Sequence, residues 1–292
     1  MFNKQFRKES IAKYNAAYHE YEKQQKQIVE YSEKLLNQRL LLKKTIVNSI
    51  IFINKIRNKP YYLETEVNAI TIEYKKFENT VLEIEKEIDK ELKKNAIGAG
   101  AGVAAGVGVA AFGPSAAMAI ATTFGTASTG AAISTLSGAA ATNAALAWLG
   151  GGALTTATGG GMAAGSSFLA LAGPIGWAIG GGAIVTAGIL TNSKNKKAGN
   201  EALEKATEIR KATKILEGTN EEINETKKLT YNTQKLLHTF VNSVSGMVEK
   251  YDYDFKKIID SNNYQLLKEL GTLVNNMKSA SQLLNRPIGA KA

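Results

Sequence analysis

The chain has 292 residues with 36 Lys and Arg, 26 Asp and Glu, a net charge of +10 and no cysteine. The lack of cysteine excludes disulfides, thiolate catalysis and thiolate metal sites. The positive charge favours acidic partners such as anionic lipid, acidic proteins or nucleic acid. Basic and acidic residues alternate, however, whereas nucleic-acid-binding proteins cluster basic residues on one face, and this disfavours nucleic acid as the partner.

The charges divide the chain into three parts. Residues 1–94 carry 19 Lys and Arg against 14 Asp and Glu, and residues 194–292 carry 17 against 12. Residues 95–193, here called the uncharged block, contain no Asp, Glu, Lys, Arg or His and hold 22 of the 27 glycines. We predict three domains with these boundaries: an N-terminal helical hairpin, a Gly/Ala-rich membrane-active block and a C-terminal helical hairpin.

The first flank has the 3-4 apolar spacing of a coiled coil. Residues 4–58 contain neither Pro nor Gly and predict one helix about 80 Å long at ~1.5 Å per residue. Lys59 and Pro60 should end it, and a second helix from Leu63 to Ile88 should lead into the uncharged block. Polar residues in the seam of the first helix should weaken it or fix its register: Gln25, Ser32, Arg39 and Ser49.

The second flank predicts three further helices. A short helix should stop at Gly218, and Thr219 with Glu222 has capping-box spacing for the next start. An apolar stripe from Leu229 through Leu236 to Ile258 predicts a long helix that breaks at residues 260–262. A final helix should end at Arg286 and Pro287. The predicted fold class is therefore all-α: an elongated coiled-coil bundle with the uncharged block as a hydrophobic helical segment at one end.

The uncharged block is long enough for two to four membrane spans, because about 20 apolar residues cross a bilayer core. Lysines border both ends of the block, so both ends should lie on the same side of the membrane and the number of spans should be even. The same lysines are candidates to bind lipid headgroups: Lys93, Lys94, Lys194, Lys196 and Lys197. Paired small residues suit close helix contact and two tryptophans suit the interface: Gly102, Gly106, Gly161, Gly165, Gly176, Gly180, Trp148 and Trp177.

A buried soluble core is the alternative interpretation of the uncharged block. Gly and Ala are weakly hydrophobic, whereas stable insertion depends on Leu, Ile, Phe and Val. A segment that is marginal in both solvents suits a protein that shelters it first and inserts it later.

Motifs for catalysis are missing. Residues 106–111 fit a loose G-x-G-x-x-A pattern, but neither the preceding strand nor the following acidic residue of a dinucleotide site is present. Ser166 and Ser167 have no His in the block to activate them. We predict no catalytic residue, metal, cofactor or small-molecule substrate.

Two resemblances add to this interpretation. The stretch LSGAAATNAALAWLGGG, residues 136–152, resembles a glycine-zipper-like segment of uncharacterised bacterial proteins, usually found beside predicted coiled coils. The whole layout resembles the α-helical pore-forming toxins of the cytolysin A and haemolysin BL type. That resemblance implies long helical bundles and a hydrophobic insertion that enters a membrane, here residues 96–190, with no catalytic residues.

The resulting hypothesis is a bacterial membrane-inserting, pore-forming protein, acting as a toxin or as an effector against phage or competitors. Its partners would be an anionic bilayer and further copies of itself or related subunits. The N-terminus shows no signal-peptide core, so we expect a soluble form that stays in the cytosol or leaves by another route, and then associates with membrane. The alternatives are a structural or ejection protein of a phage or secretion machine, and a soluble coiled-coil scaffold.

Overall fold

The computed structural model describes residues 2–96, 121, 125, 133, 144, 145 and 192–288. Nearly all of these residues are helical, and they contain no strand, only two isolated parallel bridges that join Arg57 to Asp254 and Gly125 to Ile288. The all-α fold predicted from the sequence is confirmed. The helices are α1 (Phe2–Lys55), α2 (Tyr61–Ala96), α3 (Asn192–Glu249), α4 (Phe255–Asp260) and α5 (Tyr264–Leu284).

The chain forms two compact units, each built from both charged flanks. The first comprises Met1–Glu33, Ile84–Ile223 and Pro287–Ala292, and the second comprises Lys34–Glu83 and Asn224–Arg286. The flanks therefore pair with each other, as the heptad pattern predicts.

The second unit is a four-helix bundle. Gln234 donates to the Thr45 hydroxyl at 3.1 Å, and the Arg57 amide donates to the Tyr253 carbonyl at 2.8 Å, so α1 and α3 run parallel. On the returning helices, Lys278 and Asn285 contact Glu66 and Glu73 of α2, so α2 and α5 are also parallel. Most of its core is apolar, and these apolar residues are almost fully buried: Leu42, Ile46, Ile53, Leu63, Ile70, Phe77, Val244, Leu270 and Leu273.

In the first unit, α1 and α3 lie side by side. Phe6 packs directly on Gly199, and Asn220 donates to both the backbone carbonyl (3.0 Å) and the side-chain oxygen (2.8 Å) of Gln24. The contacts advance along both helices in the same direction, so this pair is parallel. The seam also contains buried apolar residues: Tyr21, Ile28, Ala202, Ala206, Leu216 and Ile223.

The polar seam of α1 is buried as the heptad pattern predicts. Gln25, Ser32, Arg39 and Ser49 are each exposed by 3% or less. Ser49 donates to the Thr45 carbonyl at 2.7 Å, which satisfies its hydroxyl within the helix. Hydrogen bonding within the helix therefore makes burial possible at Ser49, and each of the four residues takes a core position that an apolar side chain could fill.

Two predicted boundaries in the second flank are wrong. Helix α3 continues through Gly218, and the Thr219 hydroxyl donates back to the Ile215 carbonyl at 3.0 Å instead of capping a new helix. A single interior glycine costs only about 1 kcal/mol, which the buried neighbours Leu216 and Asn220 outweigh.

The predicted helix through residue 258 ends early, at Glu249. Asp252 and Tyr253 both adopt φ of 55°, a left-handed conformation that closes the helix. The turn is held by Arg57, whose amide donates to Tyr253 and whose carbonyl accepts from Phe255 at 3.0 Å. The sequence prediction therefore missed a break that depends on a partner almost 200 positions away.

The predicted apolar stripe of α3 also has the wrong register at its start. Leu229 and Leu236 are 45% and 71% exposed, while Thr226, Thr230 and Leu237 are buried. Thr230 donates to the Thr226 carbonyl at 2.7 Å, so these polar residues occupy the core without losing a hydrogen bond. The two leucines instead leave an apolar strip on the surface.

Candidate membrane-insertion site

The predicted packing and interface residues of the uncharged block lie outside the described residues. They are Gly102, Gly106, Gly161, Gly165, Gly176, Gly180, Trp148 and Trp177. The structure therefore places the borders of the block, together with a few positions inside it. Of the predicted lysines, Lys93 and Lys94 belong to the last turns of α2, and their side chains lie outside the described part.

The other border is well defined, because α3 begins at Asn192. Lys194, Lys196 and Lys197 are exposed within its first six residues, whereas Asn195 between them is buried. The first turn carries no acidic residue, and the ion pairs between described residues do not include these lysines. Cations at a helix N-terminus oppose the helix dipole. An anion beside these lysines would relieve this repulsion.

A close approach of two helices holds this border in place. A Cβ atom added to Gly199 would lie 2.5 Å from the ring of Phe6, so a larger residue at this position requires the aromatic side chain to shift. The N-terminal end of α1 thus packs against the beginning of α3, two residues after Lys197. One signal for this contact is visible in the sequence, since Gly199 is an isolated glycine within a helical pattern.

Four of the described positions inside the uncharged block are buried, whereas Ala144 is half-buried and Ser193 is exposed. Ala121, Ile133 and Ala145 have no exposed surface. The Gly125 amide donates to the Ala121 carbonyl and the Gly125 carbonyl accepts from the Ile133 amide, both at 2.9 Å. Gly125 also pairs with Ile288, which is 1% exposed. These positions are sheltered in this structure.

Arg39 is the strongest electrostatic feature of the second unit. Its guanidinium is fully buried and donates to the Arg286 carbonyl at 2.6 Å. Burial, and to a smaller extent the charge of Arg286, lowers the pKa of Arg39 to about 9. A buried cation of this kind is costly to the folded state because it has lost most of its hydration.

Other kinds of site find little support among the residues that the structure describes. These residues include no group of three or more His, Asp or Glu side chains placed to share a metal ion. None of their helices combines the length and apolarity needed to cross a bilayer, and most of the uncharged block lies outside this search.

Comparisons with protein-family models, curated proteins and solved structures find no match to this chain. The arguments about function therefore rest on the residues themselves.

Proposed function

We propose that this chain is a bacterial membrane-inserting, pore-forming protein that acts as a toxin or as an effector against phage or competitors. The observation that carries the proposal is the uncharged block, 99 residues without a formal charge between two densely charged helical flanks. A segment without charges can be buried away from water. Its low Leu, Ile and Phe content makes immediate and stable insertion into a bilayer unfavourable. The burial of Ala121, Ile133 and Ala145 supports a sheltered first state.

The flanking bundle contains buried polar residues, which suit a change from a sheltered to a membrane-inserted state. Buried polar residues in α1 lower the free energy of unfolding relative to an apolar seam, and Arg39 contributes the largest such cost. A bundle of moderate stability can release a sheltered segment without a large external energy source. The exposed lysines at the start of α3 would then meet anionic headgroups beside the entering segment.

Dye release from anionic vesicles tests the proposal. We expect the full chain to cause leakage and a variant lacking residues 96–190 to cause none. Circular dichroism must show that the deletion variant retains the helices of the flanks. Leakage that persists in a folded deletion variant, or no leakage by the full chain from either anionic or neutral vesicles, would contradict the proposal.

The lysines allow a second test that leaves the block intact. Changing Lys93, Lys94, Lys196 and Lys197 to Gln should weaken binding to anionic vesicles by about 1 kcal/mol per charge near the surface. A control variant with the same change in charge replaces exposed lysines elsewhere: Lys228, Lys250, Lys256 and Lys268. Vesicle flotation at low salt should separate the two variants. Equal vesicle binding by the two variants would mean that binding depends on the net charge of the chain and not on the lysines that border the block.

A soluble scaffold that binds partner helices is the second candidate function. Leu229 and Leu236 favour it, because they lie seven residues apart on α3 and both are largely exposed. A chain that stays monodisperse beside lipid and causes no leakage would move the assignment to this class.

A further inference from the structure

Helix α3 carries an apolar strip on the surface of the second unit. Leu229 and Leu236 lie seven residues apart and are both largely exposed. Phe240 and Met247, which are half-buried, continue the strip at spacings of four and then seven residues. This spacing keeps the four side chains on one face of the helix over about five turns. It is also the spacing of a coiled-coil seam.

The two exposed leucines are not used to pack α3 into the bundle. Thr230, Leu237 and Val244 of the same helix are buried, and Gln234 donates to the Thr45 hydroxyl of α1 at 3.1 Å. A different face of α3 therefore makes the contacts within the second unit. The strip is left on the surface, where another helix could cover it without displacing any helix of the bundle.

Two lysines follow the strip with the same spacing of seven residues. Lys228 and Lys235 each directly precede one of the exposed leucines and are themselves exposed. The ion pairs between described residues do not include these two lysines. With the leucines at position a of a heptad, the lysines occupy position g, where charged residues determine which helix a coiled coil accepts.

We propose that this strip docks an acidic amphipathic helix of a partner protein, with aliphatic side chains against Leu229 and Leu236 and glutamates beside Lys228 and Lys235. A second copy of the strip offers no such glutamates, since the chain contains no Asp or Glu from residue 226 to residue 248. The inference names the class of partner for the second candidate function. It does not depend on membrane insertion, so a leakage assay does not bear on it.

A lipid surface fits this strip less well than a helix does. Asn232 and Thr239 are exposed at the neighbouring positions of the heptad, three residues after each leucine. They keep the apolar face narrow, as in a coiled-coil seam, whereas a helix that lies in a membrane interface presents a broad apolar face.

Fluorescence anisotropy with two labelled peptides tests the docking surface on the full chain. Both peptides are helices of about three heptads with Ile at position a and Leu at position d. One carries Glu at every e and g position and the other carries Lys, so like charges keep each peptide from pairing with itself. We expect the Glu peptide to bind on the order of tenfold more tightly, because the Lys peptide places like charges beside Lys228 and Lys235.

Charge reversal provides a sharper test, because it should exchange the preference between the peptides. A variant with Lys228→Glu and Lys235→Glu should bind the Lys peptide more tightly than the Glu peptide. The matched control carries Lys250→Glu and Lys256→Glu, which changes the net charge equally at exposed lysines outside the strip. This control should keep the preference of the native chain for the Glu peptide.

The apolar part of the contact is tested separately. Leu236→Gln should weaken binding of the Glu peptide on the order of tenfold, because it removes an apolar anchor from the strip. Ile72→Gln is the control, since Ile72 is exposed on α2 and should not contact the peptide. Circular dichroism must show native helix content in every variant.

Four results would overturn the proposal. The first is no saturable binding of the Glu peptide up to about 1 mM. The second is an equal loss of Glu-peptide binding in the two charge-reversed variants, which would assign binding to net charge. The third is self-association of the native chain that Leu236→Gln abolishes, which would assign the strip to a second copy. The fourth is vesicle binding that Leu236→Gln abolishes while neither peptide binds, which would assign the strip to lipid.

Discussion

Replacing Arg39 with Met should stabilise the bundle. Burial lowers the pKa of Arg39 from its ordinary value to about 9, and each tenfold loss of proton affinity is worth about 1.4 kcal/mol. The charged side chain therefore costs the folded state on the order of 4 kcal/mol. The hydrogen bond to the Arg286 carbonyl returns about 1.5–3 kcal/mol. Met has a similar length and no charge, so we expect a net gain of about 1–3 kcal/mol in the free energy of unfolding.

The stability difference between Arg39→Met and the native chain should also depend on pH, which provides a second, independent test. Below pH 9 Arg39 is protonated in both states, so its cost is fully present. As the pH rises above 9 the folded state releases the proton while the unfolded state keeps it, and the cost declines. The free-energy advantage of Arg39→Met over the native chain should therefore narrow by about 1 kcal/mol between pH 7 and pH 10. Burial raises the pKa of Tyr18 to about 12 and that of Tyr21 as well, but both tyrosines act equally in the two proteins.

Equilibrium urea unfolding followed by circular dichroism measures both quantities. Lys44→Met is the control, because Lys44 is an exposed cation on the same helix and its loss should change stability by no more than about 0.5 kcal/mol. Destabilisation of Arg39→Met by more than about 1 kcal/mol at pH 7 would mean that the guanidinium is a net stabiliser. A difference in unfolding free energy between Arg39→Met and the native chain that stays constant up to pH 10 would refute the lowered pKa of Arg39.

Three further predictions concern glycines. Gly199→Ala should destabilise the chain by about 1–3 kcal/mol in urea unfolding, because its Cβ meets the Phe6 ring at 2.5 Å. Gly218 has open space around it, so Gly218→Ala should raise the free energy of unfolding by about 0.5–1 kcal/mol. Equal changes in the free energy of unfolding for the two variants would show that the Phe6 side chain can move away from residue 199. Replacing Gly102 and Gly106 together with Leu should reduce dye release despite the added hydrophobicity, since close backbone contact is lost. Unchanged or faster release would exclude close packing there.

The heptad pattern predicted α1 well because the information is local and dense. Its seam positions recur through the whole helix, and even the polar members such as Gln25 and Ser49 are buried. The predicted end at Lys59 and Pro60 is late, since α1 ends at Lys55, whereas α2 begins directly after Pro60. Here the periodicity, the absence of Gly and Pro, and the tertiary packing all agree.

Helix α3 was harder to predict because tertiary contacts override its local signals. Gly218 looks like a stop, yet the buried residues around it keep the helix continuous. Leu236 looks like a core residue, yet Leu237 takes that place and Thr230 satisfies its hydroxyl within the helix. The turn at Tyr253 needs hydrogen bonds from a distant part of the chain. Local spacing contains none of this information.

The candidate site was predictable in composition but not in its contacts. The absence of charge over residues 95–193 and the lysines that border it are visible in the sequence. The bridge from Gly125 to Ile288 joins positions more than 160 residues apart, and a single Ile after Pro287 gives no indication of its partner. The Phe6–Gly199 contact is equally non-local. Membrane insertion itself remains a prediction.

The stability of the bundle and the rate of insertion should be inversely related if the sheltered block is released by loosening the flanks. Arg39→Met removes the buried cation and should raise the free energy of unfolding of the second unit, so we expect it to slow dye release. Lys44→Met removes an exposed cation from the same helix and should leave the rate of dye release unchanged. Slower leakage by Arg39→Met alone would mean that loosening of the bundle limits insertion. Equal leakage by the two variants would mean that insertion proceeds without loosening of the bundle.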